Sequence, residues 1–261
     1  MEQDIQKIKS KEGFIIDMDG VIYHGNKLLP GVSDFLNWLD TSGKKYLFLT
    51  NSPERTPKEL HEKLKRLGIN VGEEHFYTSA LATANFIVSQ IPNGSAYIIG
   101  DAGLIHAMYN VGYTMNNVNP DYVVVADPRS YNFEKIELAI NLVLKGARLI
   151  GTNSDISGPV ENGIAPSTKA LIAPIEITTG KKAYFVGKPN PLMMRSALKK
   201  LGIDNENAIV IGDRMDTDII CGLEAEIDTL LVLSGITTKE DIVKFPYIPK
   251  YILNGIIDLM E

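Results

Sequence analysis

The chain has 261 residues, 44% of them hydrophobic and 22% charged, which is enough for one large domain or two modest ones with separate cores. A single cysteine, Cys221, excludes an internal disulfide framework and a thiolate zinc cluster, so any metal must be held by oxygen. The net charge of −6, without a dense Lys/Arg cluster, argues against nucleic acid as the main partner. No apolar run approaches the roughly 20 residues of a membrane-spanning helix, and the first residues lack a secretory signal, so we expect a cytoplasmic protein.

Predicted strands and helices alternate along the chain. Short apolar runs bounded by turn residues predict strands at 14–17, 46–50, 97–100, 122–126, 149–151, 183–187, 208–212 and 230–233. Helical periodicity and capping residues predict helices at 32–41, 56–68, 79–90, 102–110, 133–145, 168–179, 191–201, 215–225 and 238–244. This alternation is typical of an α/β protein, and we expect a doubly wound, mostly parallel, Rossmann-like sheet.

The helix predicted at 56–68 has clear start and stop signals. Thr56 can cap its first turn, Pro57 occupies the first helical position and Glu59 completes a capping box. Gly68 stands just past the last turn, where a left-handed conformation commonly ends a helix.

Four predicted strands are each followed or closed by a polar residue at the carboxyl end. Asp17 closes FIID, Thr50 closes YLFLT, Lys188 follows YFVG and Asp213 follows AIVIG. In open α/β sheets ligands bind at this edge, because the loops there form a crevice and helix N-termini point N–H groups into it. The sequence therefore predicts one functional site that contains all four residues.

Asp17 and Asp19 are two residues apart, so in an extended segment they point to the same side, away from Met18. Gly20 then permits a sharp turn. Two carboxylates at about 4 Å repel by about 4 kcal/mol at an effective dielectric near 20, and Asp213 would add to this repulsion. Such a cluster favours a hard cation with oxygen ligands, and Mg²⁺ fits because it also bridges to phosphate oxygens.

The order of these motifs carries a family resemblance. DMDGVIY at 17–23, LTNS at 49–52, GKPNP at 187–191 and GDRMDTD at 212–218 resemble the four motifs of haloacid dehalogenase (HAD) hydrolases. The match is closest to the NagD-like, p-nitrophenyl-phosphatase-like branch. Their positions at strand ends, and the long insertion between the second and third, strengthen a signal that a lone DxD would not carry.

The resemblance implies a phosphatase that forms an aspartyl phosphate. It implies that Asp17 attacks phosphorus, while Asp19 protonates the leaving group and later activates water. The implied ligands of Mg²⁺ are the Asp17 carboxylate, the Asp19 main-chain carbonyl and Asp213. Asp218 is implied to contact the residues around the ion and not the ion itself. The implied phosphate-binding residues are Thr50, Asn51, Ser52 and Lys188.

The segment between Ser52 and Lys188 is 135 residues long, far more than a single crossover needs. We expect it to carry a second α/β domain, and the resemblance implies a cap that closes over the strand ends. The predicted division is a core of residues 1–78 and 183–261 with an inserted cap of residues 79–182. The hinges are expected near 78–80 and 181–184.

Within the insertion, Asn153 and Asp155 end a predicted strand and are candidates for substrate contact. The residues that follow, Gly158 to Pro166, are rich in Gly, Pro and Asn and predict an irregular loop that faces the active site. Family members often have proline where Ser154 stands, and a Gly-rich stretch where this chain has residues 165–169. The substrate preference of relatives therefore does not transfer directly.

Other functions stay open at the level of sequence. A receiver-like module also gathers acidic residues, a phosphorylatable Asp, a Thr and a Lys, but it is a single compact domain and needs no insertion. A phosphotransferase or phosphomutase would use the same aspartyl phosphate with another acceptor. A phosphoprotein phosphatase is a further alternative, although a large cap would obstruct a folded substrate.

We expect a small phosphorylated metabolite as the substrate. Candidates are nucleoside monophosphates, sugar or glycerol phosphates, phosphoglycolate and pyridoxal phosphate, with p-nitrophenyl phosphate as an artificial substrate. The resemblance also leads us to expect a homodimer formed through the cap.

Some residues of chemically reactive types are expected to have structural roles and not catalytic ones. The four histidines have no zinc spacing, and His24 near Gly20 is expected to be structural. Cys221 follows Ile219 and Ile220 in a predicted helix and should be packed. Asp216 in the first turn of that helix is expected to interact with the helix dipole.

Overall fold

The computed structural model describes residues 2–160 and 163–260 of the chain. Its backbone contacts divide the chain into two compact units. The first unit holds the residues up to Thr50, Leu60–Tyr77 and the residues from Lys188 onward, and the second unit holds Asn51–Glu59 and Thr78–Gly187.

The strands follow in chain order as β1 (Gly13–Ile16), β2 (Tyr23–His24), β3 (Lys27–Leu28), β4 (Lys45–Thr50), β5 (Phe76–Thr78), β6 (Ser95–Ile99), β7 (Thr114–Met115), β8 (Tyr122–Val125), β9 (Arg148–Gly151), β10 (Ser157–Val160), β11 (Gly163–Pro166), β12 (Tyr184–Phe185), β13 (Ala208–Gly212), β14 (Asp228–Val232) and β15 (Tyr251–Leu253).

The α-helices are α1 (Glu2–Ser10), α2 (Val32–Thr41), α3 (Pro57–Arg66), α4 (Ser79–Gln90), α5 (Ala102–Asn110), α6 (Phe133–Leu144), α7 (Thr168–Thr179), α8 (Pro191–Leu201), α9 (Ile220–Glu224) and α10 (Lys239–Ile242). Short 3₁₀ turns occur at Glu73–His75, Asn205–Asn207 and Ile256–Leu259, and a π-helical turn at Met215–Ile219 precedes α9.

The first unit is built on a six-stranded sheet in the order β15-β14-β13-β1-β4-β5. The central strand β1 pairs in parallel with β13 and β4, so that Ile16 lies opposite Ile211 and Phe48. Every residue of β1 is buried, as expected for a parallel strand covered on both faces. Because the strands run in parallel, β1, β4 and β13 bring their carboxyl ends to one edge.

The second unit has its own five-stranded sheet in the order β12-β9-β8-β6-β7. Parallel ladders join β6 to β7 and β8, β8 to β9, and β9 to β12. Helices α6 and α7 cover it with a separate core that includes Val123, Leu142 and Ile172. These two sheets confirm the predicted α/β class with a mostly parallel central sheet.

Helix α3 shows the capping that the sequence predicts. The Thr56 N–H donates to Glu59 Oε2 at 2.8 Å, and the Glu59 N–H donates back to Thr56 Oγ1 at 3.2 Å. The bonds that Glu59 Oε2 accepts from the Thr56 N–H and from Thr56 Oγ1 lower the pKa of the Glu59 carboxyl, because they favour its charged form. Gly68 has a positive φ of 90° just beyond the helix, as expected of a C-terminal glycine.

The prediction of an irregular loop from Gly158 to Pro166 was wrong for the part of it that is described. Ser157 to Val160 pairs antiparallel with Gly163 to Pro166, with Ser157 opposite Pro166. A two-stranded hairpin tolerates Gly and Pro because both strands are edge strands, and each needs ladder hydrogen bonds on one side only. Residues 161 and 162 of the predicted loop lie outside the described residues.

Across residues 2–160 and 163–260, no helix is both long enough and apolar enough to pass through a membrane.

Candidate active site

Asp17 is the first residue after β1 and continues in the direction of the strand. Its N–H donates to the Ile211 carbonyl at 2.8 Å, so the segment remains beside β13 after the strand ends. Met18 is completely buried in the core of the first unit, whereas Asp19 is exposed. The chain then turns, and the Gly20 N–H donates to the Tyr23 carbonyl at 2.9 Å. This turn leaves the Asp17 side chain partly covered and Asp19 open to solvent.

Gly20 is required for two reasons. Its φ of 82° lies in the left-handed region that side chains disfavour, and a Cβ there would come 2.5 Å from Asp213 Oδ2. A Cβ at Gly235 would also collide with the Asp213 side chain. The two glycines therefore let the loops after β1 and β14 close around one carboxylate.

Lys188 links two of the carboxylates at this sheet edge. Its Nζ donates to Asp17 Oδ1 at 2.5 Å and to Asp218 Oδ1 at 2.6 Å, and it also reaches the Leu49 carbonyl at 3.2 Å. The Lys188 side chain is only 3% exposed. Burial alone lowers the pKa of Lys188, but the two carboxylates outweigh it and raise the pKa, so the ammonium stays charged.

Asp213 and Asp218 are held by main-chain N–H groups. Asp213 Oδ2 accepts from the Ile236 N–H at 2.7 Å, and Asp218 Oδ2 accepts from the Arg214 N–H at 3.1 Å. Asp218 lies in the π-helical turn between β13 and α9, where it is almost fully buried. The wide turn presents its other oxygen to Lys188.

Asp17, Asp213 and Asp218 each offer an oxygen within 4.8 Å of the others. Burial raises the pKa of Asp17 well above its usual value against the pull of Lys188, and Asp218 and Asp213 raise it further. Burial and the charge of Asp218 raise the pKa of Asp213 to about 6. The single ammonium of Lys188 therefore does not neutralise the negative charge of the three carboxylates.

This donor set fits a divalent hard cation. All of its ligand atoms are oxygens, and a cation would supply the charge that Lys188 alone does not. Lys188 occupies Asp218 Oδ1, in line with the supporting role that the family resemblance implies for Asp218. The main-chain carbonyl of Asp19 follows Asp17 by two residues, and its part in binding metal stays a prediction.

The predicted phosphate-binding residues fall in both units. Thr50 closes β4 beside β1 and is only 6% exposed, and Lys188 Nζ contacts the carbonyl of the preceding Leu49. Asn51 and Ser52 follow Thr50 directly and begin the second unit. Within that unit the Asn51 side chain donates through Nδ2 to Asp155 Oδ2 at 2.9 Å.

Asn153 and Asp155, the predicted substrate contacts, also lie next to Asn51 in the second unit. Asn153 is 1% exposed, and its Nδ2 donates to the Asn51 carbonyl at 3.1 Å. Asn153 Oδ1 accepts from the Asp155 N–H at 3.1 Å. Both residues are therefore part of a hydrogen-bonded cluster around Asn51.

Asp127 is a member of this cluster that the sequence analysis missed. Its carboxylate accepts from Ser167 Oγ at 2.9 Å, Thr168 Oγ1 at 2.6 Å and Asn153 Nδ2 at 3.4 Å. The signal was available, since Asp127 follows the predicted strand 122–126 just as Asp213 follows its own strand. It was overlooked because no motif of the resembled family includes it.

The residues given a structural interpretation are engaged in packing and in local hydrogen bonds. Cys221 is buried and its thiol donates to the Asn190 carbonyl at 3.3 Å, which confirms the prediction of a packed cysteine. Asp216 pairs with Arg214 at 2.9 Å on the surface. His24 Nε2 lies 2.6 Å from the Ser234 carbonyl.

The arrangement at the edge of the first unit can act on a phosphoryl group. Asp17 presents a carboxylate oxygen, Lys188 supplies positive charge, and the oxygens of Asp213 and Asp218 could hold a cation together with Asp17. Asp19 adds a solvent-exposed carboxyl two residues after Asp17. Asp17 and Asp19 follow β1, and Lys188 supplies an ammonium beside Asp17.

Known proteins are similar in sequence to this chain along most of its length. Residues 14–114 match the family described as haloacid dehalogenase-like hydrolase, and residues 185–259 match a HAD-hydrolase-like family. A dihydroxyacetone phosphatase of Corynebacterium glutamicum is 43% identical over 95% of this chain and 90% of its own. The ribonucleotide monophosphatase NagD of Escherichia coli K12 is 39% identical over 94% of this chain and 96% of its own.

The fold is shared as well. The structure of a 4-nitrophenylphosphatase from Thermotoga maritima matches with a TM-score of 0.93, at 32% identity and over 97% of each chain. Sequence relatives and structure agree with the motif order, the NagD-like resemblance and the phosphatase activity that it implies. The chain belongs to the haloacid dehalogenase-like hydrolases and is a phosphatase of the NagD-like branch.

Proposed function

We propose that this phosphatase hydrolyses small phosphorylated metabolites with Mg²⁺, through a covalent phosphate on Asp17. The observation that carries the proposal is the contact between Lys188 Nζ and Asp17 Oδ1 at 2.5 Å, beside two further carboxylates. Lys188 thus contacts a carboxylate that also belongs to the group of three able to hold a cation. Such focusing of positive charge is what phosphoryl transfer needs from a protein.

In the first step, Asp17 attacks phosphorus and the bond from phosphorus to the leaving oxygen breaks. Lys188 orients Asp17 and lowers the pKa of its carboxyl against the effect of burial, and it offsets charge on the phosphoryl oxygens. Asp19 gives its proton to the leaving oxygen, which departs as an alcohol. Thr50, Asn51 and Ser52 donate hydrogen bonds to the phosphoryl oxygens.

In the second step, water attacks the phosphorus of the phosphorylated Asp17 and the acyl phosphate bond breaks. Asp19, now ionised, takes the proton from that water, so both residues return to their starting states. A bound Mg²⁺, held by Asp17, Asp213 and the Asp19 carbonyl, would neutralise phosphoryl charge. Asp218 keeps Lys188 in place by its own 2.6 Å contact.

We also propose that residues 79–182 act as the cap that selects the leaving group and that two copies associate through it. The second unit has its own parallel sheet and core, which supports the proposal that this segment forms a separate domain. The relatives named for dihydroxyacetone phosphate, ribonucleotide and nitrophenyl phosphate chemistry support a small organic phosphate as the substrate. Their phosphatase names favour water as the acceptor over a second metabolite.

A substrate panel tests this function. Nucleoside monophosphates, sugar and glycerol phosphates, dihydroxyacetone phosphate, phosphoglycolate, pyridoxal phosphate and p-nitrophenyl phosphate are assayed with Mg²⁺ and with a chelator. We expect phosphate release from several of them, abolished by the chelator and restored by excess Mg²⁺. Undiminished release in the chelator would remove the metal from the mechanism.

The same assay separates hydrolysis from phosphoryl transfer. With p-nitrophenyl phosphate, the amounts of p-nitrophenol and of inorganic phosphate are measured together, in the presence of a polyol acceptor. We expect equal amounts, because water is the proposed acceptor. An excess of p-nitrophenol over phosphate would identify a phosphotransferase.

Asp19→Asn tests the proton carrier. Asparagine cannot protonate a leaving oxygen, so we expect kcat to fall by about 10²–10⁴-fold for alkyl phosphates. The loss should be much smaller for p-nitrophenyl phosphate in the first step, since p-nitrophenolate departs with little protonation. Pre-steady-state release of p-nitrophenol measures that step, and an equal loss for both substrate types would assign Asp19 a structural role.

A further inference from the structure

A chain of partly buried hydrogen bonds runs through the second unit to the residue that follows Thr50. It starts at Asp127, which accepts from Ser167, Thr168 and Asn153. It continues through Asn153 Nδ2, which donates to the Asn51 carbonyl at 3.1 Å. Ser79 Oγ donates to the same carbonyl at 2.6 Å, so the Asn51 carbonyl is held by two side chains.

The residue that precedes Lys188 is held at the same place. Gly187 donates its N–H to the Thr152 carbonyl at 2.8 Å. A Cβ on Gly187 would lie 2.6 Å from that carbonyl and 2.7 Å from Asn51 Oδ1. The segments next to Thr50 and Lys188 therefore meet on the end of β9, at Thr152 and Asn153.

The amide of Asn153 is engaged within the protein. Its Nδ2 donates to the Asn51 carbonyl and to Asp127, while Oδ1 accepts from the Asp155 N–H. An amide has two N–H donors, and both are used within the cluster. The residue is also only 1% exposed.

We propose that Asp127 and Asn153 are positioning residues, which hold the Asn51 carbonyl and thereby fix the phosphate-binding residue Thr50. This rests on the proposed function of Thr50 and replaces the predicted substrate contact of Asn153. Asp127 orients the Asn153 amide so that its N–H₂ faces Asn51, and Ser167 and Thr168 orient Asp127. A carboxylate suits this task because it accepts hydrogen bonds without donating any.

A swapped pair tests the proposal. Asp127→Asn and Asn153→Asp each place mismatched groups against each other, whereas the double variant again pairs an amide with a carboxylate between the two positions. In the double variant, however, a carboxylate oxygen at position 153 faces the Asn51 carbonyl, where a donor is needed. We expect part of the thermal stability lost in the single variants to return in the double variant, because an amide and a carboxylate again face each other at positions 127 and 153, while kcat stays about 100-fold below that of the unsubstituted protein.

Ser79→Ala is a gentler test that leaves no buried charge unpaired. It removes the second donor to the Asn51 carbonyl, and we expect kcat to fall about tenfold with little change in KM, because the lost effect is on geometry in the transition state. Ser89→Ala on the same helix, where the hydroxyl donates to the Phe86 carbonyl at the surface, is the matched control. Asn141→Asp, at an exposed position of helix α6, is the control for an amide change.

The outcomes separate this proposal from the proposed function. If the unsubstituted protein releases phosphate and the double variant regains stability without kcat, the positioning role is supported. If stability and kcat return together in the double variant, or if Ser79→Ala matches Ser89→Ala, the network only supports the fold and the proposal is overturned. Lack of Mg²⁺-dependent activity in the unsubstituted protein would instead contradict the proposed function.

Discussion

Asp17→Asn is expected to lower kcat by at least about 10⁴-fold while the protein stays folded. Asparagine has nearly the same size, but its amide oxygen does not attack phosphorus. Lys188 retains its 2.6 Å contact with Asp218 in this variant, so the buried ammonium keeps a charged partner. Steady-state kinetics and circular dichroism measure the two parts of the expectation.

The control is Asp216→Asn, the same substitution close in sequence to Asp213 and Asp218. Its side chain is 55% exposed and pairs with Arg214 on the surface, so activity should be retained. Mass spectrometry after an acid quench should find a phosphorylated Asp17 peptide in the unsubstituted protein and not in Asp17→Asn. Residual turnover of Asp17→Asn within about tenfold of the unsubstituted protein would assign the nucleophile elsewhere.

Lys188→Met is expected to affect both activity and stability. Removing a charge-stabilising donor from a phosphoryl site costs about 10²–10³-fold in kcat. Without the ammonium, Asp17 and Asp218 become buried carboxylates that lack their cation. We therefore expect the free energy of unfolding at pH 7 and without metal to fall by about 3–5 kcal/mol, the usual cost of breaking a buried ion pair on one side.

The pH dependence of Lys188→Met follows from the raised carboxyl pKa values. Burial and mutual repulsion hold the pKa values of Asp17 and Asp213 in the folded state above their unfolded values, and the variant removes the lysine that opposes this. The folded state then takes up protons as pH falls through these raised values, which stabilises it. The deficit should therefore be largest at pH 7–8 and should shrink towards pH 5.

Urea unfolding of Lys188→Met at both pH values, with and without Mg²⁺, measures this. Mg²⁺ should reduce the deficit at pH 7, because it binds the folded state and replaces part of the missing charge. Lys244→Met is the control, since Lys244 pairs with Asp241 at the surface and its loss should leave stability nearly unchanged. A deficit that is independent of both pH and Mg²⁺ would mean that lost packing is its cause.

The bounds of several helices were predictable to the residue. Helices α2, α4 and α7 have the predicted bounds; Thr78 caps the start of α4, and α7 ends before Gly180 in the left-handed conformation. Helix α1 and hairpins β2–β3 and β10–β11 were missed. The strands of these hairpins are too short, or too rich in Gly and Pro, to show a local pattern, and long-range pairing decides their conformation. Long-range packing decides the conformation of helix α1.

The candidate site was predictable in part. Asp17, Thr50 and Asp213 share one signal, a polar residue at the carboxyl end of an apolar strand, and parallel pairing of β1, β4 and β13 brings these ends to one edge. Lys188 carries the same signal, but the strand before it, β12, belongs to the other sheet, so strand pairing does not explain the position of Lys188. The contact of Lys188 with Asp218 depends on the π-helical turn after β13, and no periodic pattern in the sequence predicts that turn. The cluster around Asp127 joins residues more than 70 positions apart, and only the folded chain reveals it.

A crystal structure of the protein grown with Mg²⁺ and beryllium fluoride, which imitates an acyl phosphate, would test the proposed covalent mechanism at Asp17 most directly. We expect the fluoride group on an Asp17 carboxylate oxygen, with Mg²⁺ bound by Asp17 and Asp213 and with Lys188 Nζ in contact with both the group and Asp17. Beryllium fluoride bound at another side chain, or Mg²⁺ found away from Asp17 and Asp213, would contradict the mechanism.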